Sequence, residues 1–238
     1  MSLFRSMNLR CPSCGTEISV SVAGSINADR RPDRRLAILA NDFQDATCGS
    51  CGTSFRCESD LNYIDMARGQ WIAALPARLM ADHLEEEERA LIAYDESFGP
   101  KTSAIAQDIG RGLTVRVVFG WSAFREKLLL GELGIDDVAL ECMKVDLMRR
   151  LPEAPLRPGV ELRLDRIEAG RMNLIWIDAL SEDVIEELSL DRALLDSIIA
   201  APDAWGPLRT DLTLGPFVDM QRLFMGPGRA TAIGPQAL

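Results

Sequence analysis

Cys11-Pro12-Ser13-Cys14-Gly15 and Cys48-Gly49-Ser50-Cys51-Gly52 repeat one Cys-x-x-Cys-Gly pattern, and no other feature of the chain constrains its fold as strongly. Two cysteines two residues apart can face one ion, and two such pairs complete a tetrahedral shell of four thiolates. Glycine after the second cysteine lets the chain turn tightly, so that backbone N–H groups point at the sulfurs. A single Cys-x-x-Cys could equally be a redox dithiol; the paired set with matching glycines points to a metal. Cys11, Cys14, Cys48 and Cys51 are therefore expected to hold one zinc ion in a zinc ribbon. Four thiolates leave no open coordination position, and His83 is the only histidine, so the zinc is expected to be structural rather than catalytic. The competing reading is two disulfides or four reduced core thiols. Residues 1–10 contain no apolar run of signal-peptide length, so a reducing, cytoplasmic setting is expected instead of disulfides.

The chain's 238 residues, 47% hydrophobic and 26% charged, suit a globular protein of one large or two modest domains. We expect two: a zinc-ribbon domain over residues 1–99 and a mixed α+β domain over 100–238, divided at Gly99-Pro100-Lys101-Thr102-Ser103. A net charge of −10 opposes nonspecific association with nucleic acid or an anionic membrane. No apolar run approaches the length that crosses a bilayer.

After the first knuckle, Ile18, Val20 and Val22 alternate with small or polar residues, the period of a half-buried strand, and Gly24-Ser25-Ile26-Asn27-Ala28 is expected to break it. Pro32 stands at the start of a short helix. Arg30, Arg31, Arg34 and Arg35 cluster there, either as a basic patch for nucleic acid or an acidic partner or, on an acidic chain, as a solvated helix face. The residues flanking the second knuckle, 43–47 and 53–58, read as a hairpin. Cys57 shares a strand face with Phe55 and is expected to be a small buried hydrophobe rather than a fifth ligand. A further strand runs through Trp71-Ile72-Ala73-Ala74-Leu75 and stops at Pro76.

The two knuckles, Ser25-Ile26-Asn27-Ala28, Tyr63-Ile64-Asp65 and the Trp71 strand together resemble the bacterial CpXC family of paired-knuckle proteins. Val117-Val118-Phe119-Gly120, Phe124-Arg125-Glu126-Lys127 and Gly134-Ile135-Asp136-Asp137 resemble the region often attached C-terminally to CpXC domains. Two positions depart from the pattern: Ile64 stands where histidine is common, and Gly49 replaces proline in the second knuckle. The resemblance implies the metal-binding ribbon and little about function beyond it.

Asp82-His83-Leu84 opens a helix with Leu84, Leu91, Tyr94 and Phe98 on one stripe; Glu85 to Glu88 are expected on a solvated face and His83 partly exposed. Beyond residue 99 the expected elements are a strand over 113–119, helices over 121–130 and 135–151 with Cys142 in the core, and a proline connector at Pro152, Pro155 and Pro158. A strand pair over 160–167 and 171–177 follows, then helical patterns over 183–200 and 216–224, and a tail from about 226 expected to be poorly ordered. No phosphate loop, Gly-x-Ser-x-Gly elbow or His-Glu-x-x-His is present, and no catalytic residue is proposed from sequence. The fold class expected is α+β, an N-terminal ribbon of antiparallel hairpins with a short helix followed by a mixed α/β domain. Three functions remain open: a structural-zinc protein-interaction or self-assembly module, a regulator touching nucleic acid through the arginine loop, and an enzyme built from dispersed residues.

Overall fold

Alternating and continuous apolar runs resolve into three sheets in a computed structural model, which describes residues 2–151, 153–155 and 157–225. The N-terminal portion contains β1 (Leu3–Arg10), β2 (Glu17–Asn27), α1 (Pro32–Leu39), β3 (Asp45–Thr47), β4 (Ser54–Arg56), β5 (Leu61–Asp65) and β6 (Gln70–Leu75). Next come α2 (His83–Phe98), α3 (Ala104–Arg111), β7 (Thr114–Phe119), α4 (Trp121–Leu133) and α5 (Asp137–Arg150). β8 (Val160–Glu168), β9 (Arg171–Asp178), β10 (Val184–Asp191), α6 (Ala193–Ala200) and α7 (Gly206–Leu212) complete the regular elements. The class is α+β, as expected.

The largest sheet has the order β1-β2-β5-β6-β7. β6 is a near-continuous apolar run because both of its faces are covered. Ile72 and Ala74 join Tyr63, Phe124 and Leu128 on one side, where α4 packs. Trp71 and Ala73 join Val117, Phe119, Ala90 and Phe217 on the other. A second core forms where α5 lies against β8 and β9, with Leu140, Met143, Leu162, Leu164 and Trp176 at its centre.

Several expectations are corrected. β7 pairs in parallel with β6, Gln70 opposite Thr114 through Leu75 opposite Phe119, so the division at residue 99 falls inside one hydrogen-bonded sheet. β2 does not break at Gly24; it runs on to Asn27, where Ser25, Ile26 and Asn27 pair with β5. Residues 184–191, expected to be helical, are an edge strand paired with β9, and the helix begins only at Ala193. Of the helical pattern over 216–224, only the short 3-10 turn Met220–Leu223 forms. α3 was not anticipated. Cys142 is fully buried, as expected. Pro152 and the tail from 226 lie outside the described residues.

α2 is the largest surprise. His83 is 3% exposed and Glu86 and Glu87 are buried beside it, while Leu84 and Leu91 face outward. Buried polar groups require partners. Glu87 accepts hydrogen bonds from His83 Nδ1 at 2.8 Å, from the Phe217 N–H at 3.2 Å and from the Arg222 guanidinium. The glutamate run is therefore divided between interior and solvent, and His83 is a core residue.

Candidate metal centre

The two knuckles are the tips of two hairpins. Arg10 pairs with Glu17 at the base of the first, and Thr47 pairs with Ser54 at the base of the second. Within the first turn the Cys11 N–H donates to Thr16 O and the Gly15 N–H to Cys11 O, both at 2.9 Å. The second repeats this: the Cys48 N–H donates to Thr53 O at 2.9 Å and the Gly52 N–H to Cys48 O at 2.8 Å. Gly15 and Gly52 have φ of 72° and 76°, the left-handed conformation that glycine adopts without strain. One local sequence thus builds one turn twice.

These turns bring Cys11, Cys14, Cys48 and Cys51 together, with every Sγ within 4.8 Å of the others. Cys11 Sγ lies 3.6 Å from Cys51 Sγ, and Cys14 Sγ lies 3.7 Å from Cys48 Sγ. Both contacts cross between knuckles and are far too long for a disulfide bond of about 2.0 Å. Four sulfurs about 2.3 Å from a central ion would stand about 3.8 Å apart, so the observed edges fit a tetrahedral metal site. The donor set suits a soft or borderline ion.

Cys11 and Cys48 are buried, whereas Cys14 and Cys51 are exposed. Thr16 Oγ1 and Thr53 Oγ1 each stand 3.3 Å from the exposed thiol of their own knuckle. The hydroxyl and then the backbone N–H of Thr53 lower the Cys51 thiol to about 6, and Thr16 lowers Cys14 in the same way. Hydroxyl and amide donors stabilise thiolate, the form a metal binds. Neither threonine was singled out from sequence, although each stands two residues after its cysteine.

Gln44 also escaped notice. It has a φ of 60°, accepts from the Ala23 N–H at 2.5 Å and donates to Cys57 O at 3.1 Å, tying the second hairpin to β2. Phe43 meets Trp121 edge-on at 5.6 Å and anchors the same hairpin to α4. Cys57 is 2% exposed and outside the four-sulfur cluster, a small buried side chain as expected, although it lies one residue past the end of β4.

Arg31, Arg34 and Arg35 are drawn into ion pairs rather than into a common cationic surface. Arg35 is buried, 3.4 Å from Asp65 and 2.5 Å from Glu132. Arg31 pairs with Asp33 at 2.7 Å, and Arg34 lies 3.4 Å from the same carboxylate. Both stack over Phe4, at 5.9 Å and 5.3 Å from the ring centre. Tyr63-Ile64-Asp65 is likewise structural: Asp65 is 1% exposed, accepts from the Tyr63 hydroxyl and holds Arg35 and Arg68. Among the described residues, no helix is long and apolar enough to cross a membrane.

A model of the family described as CpXC protein matches residues 9–144, more than half of the chain. No curated protein and no solved structure matches it.

Proposed function

The chain belongs to the CpXC family, and from that premise we propose that Cys11, Cys14, Cys48 and Cys51 hold one structural zinc ion that closes a zinc ribbon, the protein serving as a binding or assembly module for another protein. One observation carries the metal reading: four sulfurs within 4.8 Å, delivered by two hairpin tips with duplicate turn bonding. The five residues of each knuckle have little core of their own, and four thiolates brought within 4.8 Å of one another without a cation would repel. A bound dication turns that repulsion into the force that joins the two hairpins. With four thiolate ligands the shell is closed, and the ion's contribution is to stability and shape.

Reconstitution with Co²⁺ tests this. The cobalt form should show the strong thiolate charge-transfer and visible bands of a tetrahedral four-sulfur site, and one equivalent of Zn²⁺ should abolish them. A spectrum without charge-transfer bands, or one unchanged by Cys48→Ser, contradicts the reading.

A further inference from the structure

Helix α2 packs Ala90, Tyr94 and Phe98 against the core, yet it also buries charged side chains and leaves large apolar ones in solvent. An apolar stripe ordinarily faces the core and the charges face water. Here His83, Glu86 and Glu87 are buried, while Leu84, Leu91 and Ile92 are 48%, 43% and 53% exposed. Positions 84, 88, 91, 92 and 95 recur at helical spacing, so the outward face is a continuous band of leucine, isoleucine and carboxylate. The inward carboxylates are compensated, Glu87 by His83, Arg222 and the Phe217 N–H, and Glu86 by Arg89 at 2.7 Å. The outward leucines have no such compensation, and covering them would remove apolar surface from water.

The band borders a groove of about 840 Å³ between α2 and the chain's later residues, with Leu84, Leu91, Ile92, Leu214, Pro216 and Leu223 in its walls. Leu214 is 73% exposed. Glu88, Asp95 and Asp211 rim it, all exposed and none in an ion pair among the described residues. Arg222, which also lines the groove, is taken up by Glu87 and by the Phe217 carbonyl. The groove is therefore apolar inside and negative around its edge.

We infer that this groove receives a basic amphipathic helix of a partner protein, its apolar stripe on Leu84, Leu91, Ile92 and Leu214 and its lysine or arginine side chains on Glu88, Asp95 and Asp211. Charge decides between occupants. A second copy of the chain would bring another −10 and set carboxylate rim against carboxylate rim. A basic helix supplies the opposite sign where the rim lacks it, and α2, with 16 residues, offers a surface about 24 Å long to a helix lying along it. This inference rests on the reading of the chain as a binding module and adds the surface and the partner's chemistry.

Fluorescence anisotropy of a labelled Leu/Lys amphipathic model helix, titrated with the full-length zinc-loaded protein, tests it against a Leu/Glu helix of the same length. The Leu/Lys helix should bind, more weakly as salt rises, and the Leu/Glu helix should not. Leu91→Ser with Ile92→Ser, which leaves the charge unchanged, should weaken binding at least tenfold, and Glu88→Gln with Asp95→Asn should weaken it and flatten the salt dependence. Binding indifferent to the serine pair overturns the inference. So does a dimer in sedimentation that the serine pair dissolves, which gives the groove to a second copy. Zinc content measured on the same sample separates the two claims: zinc-loaded protein that ignores the helix overturns the groove alone, whereas folded protein without zinc overturns the metal reading whatever the helix does.

Discussion

Lys144 Nζ lies 2.8 Å from Glu126 Oε1, and both side chains are fully excluded from solvent. Glu141 Oε1 takes a second bond from the same ammonium at 2.8 Å, and Arg163 joins the cluster through Glu126 Oε1 at 3.4 Å and carries it on to Glu161 and Asp219, each at 2.5 Å. The network fastens four pieces of chain: α4, α5, β8 and the segment at Asp219. Burial works against the Lys144 charge, but the Glu126 and Glu141 carboxylates hold its pKa above the ordinary value. Replacing Lys144 with methionine would strand those carboxylates in the interior. The expected cost is about 3–5 kcal/mol in urea denaturation. A loss under about 1 kcal/mol would show that the network rearranges without its ammonium.

Glu141 should titrate far from the ordinary carboxyl range. Burial raises its pKa from 4.5 to about 7, with Lys144 acting in the opposite direction. A carboxyl raised in the folded state stabilises the fold fully below its unfolded pKa, and that contribution is lost as the pH rises through the folded one. The affected window is therefore about pH 4.5 to 7. A ¹³C NMR titration of labelled glutamate should show one carboxyl with a midpoint near 7 that Glu141→Gln removes. Glutamate midpoints that all lie below about 5 would contradict it.

Cys14→Ser should loosen the hairpin tips and leave the main sheet folded. β1 is an edge strand whose partner β2 is tied to β5 only at Ser25, Ile26 and Asn27, so the outer ends of both strands depend on the knuckles. Ala23, Ile26 and Ala28, by contrast, are already in the core with Tyr63 and Phe124. Hydrogen exchange should accelerate around residues 8–20 and 45–56 and stay slow in β6 and β8. Uniform loss of protection across both regions would mean that the metal half and the body unfold as one unit.

What was legible in the sequence was the local chemistry. Each knuckle is specified by five adjacent residues, and Gly15 and Gly52 announce its turn. Strand pairs joined by short connections, such as β8 and β9 around Ala169 and Gly170, were legible for the same reason. Long-range pairing was not. Nothing near Thr114 says that it will lie beside Gln70, and that single parallel contact moves β7 into the N-terminal sheet. Val184-Ile185-Glu186-Glu187-Leu188 fits a helical period as well as a strand, and β9 decides the matter by pairing with it. On α2 the expected stripe splits: Tyr94 and Phe98 pack against the core while Leu84 and Leu91 face outward, because Arg222 and the Phe217 N–H, which let Glu87 be buried, are more than a hundred residues away.

The arginines near α1 should not make the protein a nucleic-acid binder. Arg35 is committed to Asp65 and Glu132, Arg31 and Arg34 share Asp33, and the chain as a whole carries −10. Polyanion affinity follows the number of phosphates neutralised, and this surface leaves few charges for them. A short labelled oligonucleotide near physiological salt should bind no more tightly than the millimolar range. Micromolar binding abolished by Arg30→Ala with Arg34→Ala would contradict this.

The central claim is the metal, and native mass spectrometry of the purified protein tests it most directly. We expect one zinc per chain, lost with a chelator, with Cys11, Cys14, Cys48 and Cys51 resisting alkylation until it is removed and Cys57 and Cys142 resisting until the chain unfolds. Folded protein with well under one zinc per chain, and with those four cysteines alkylated in the native state, would contradict the account.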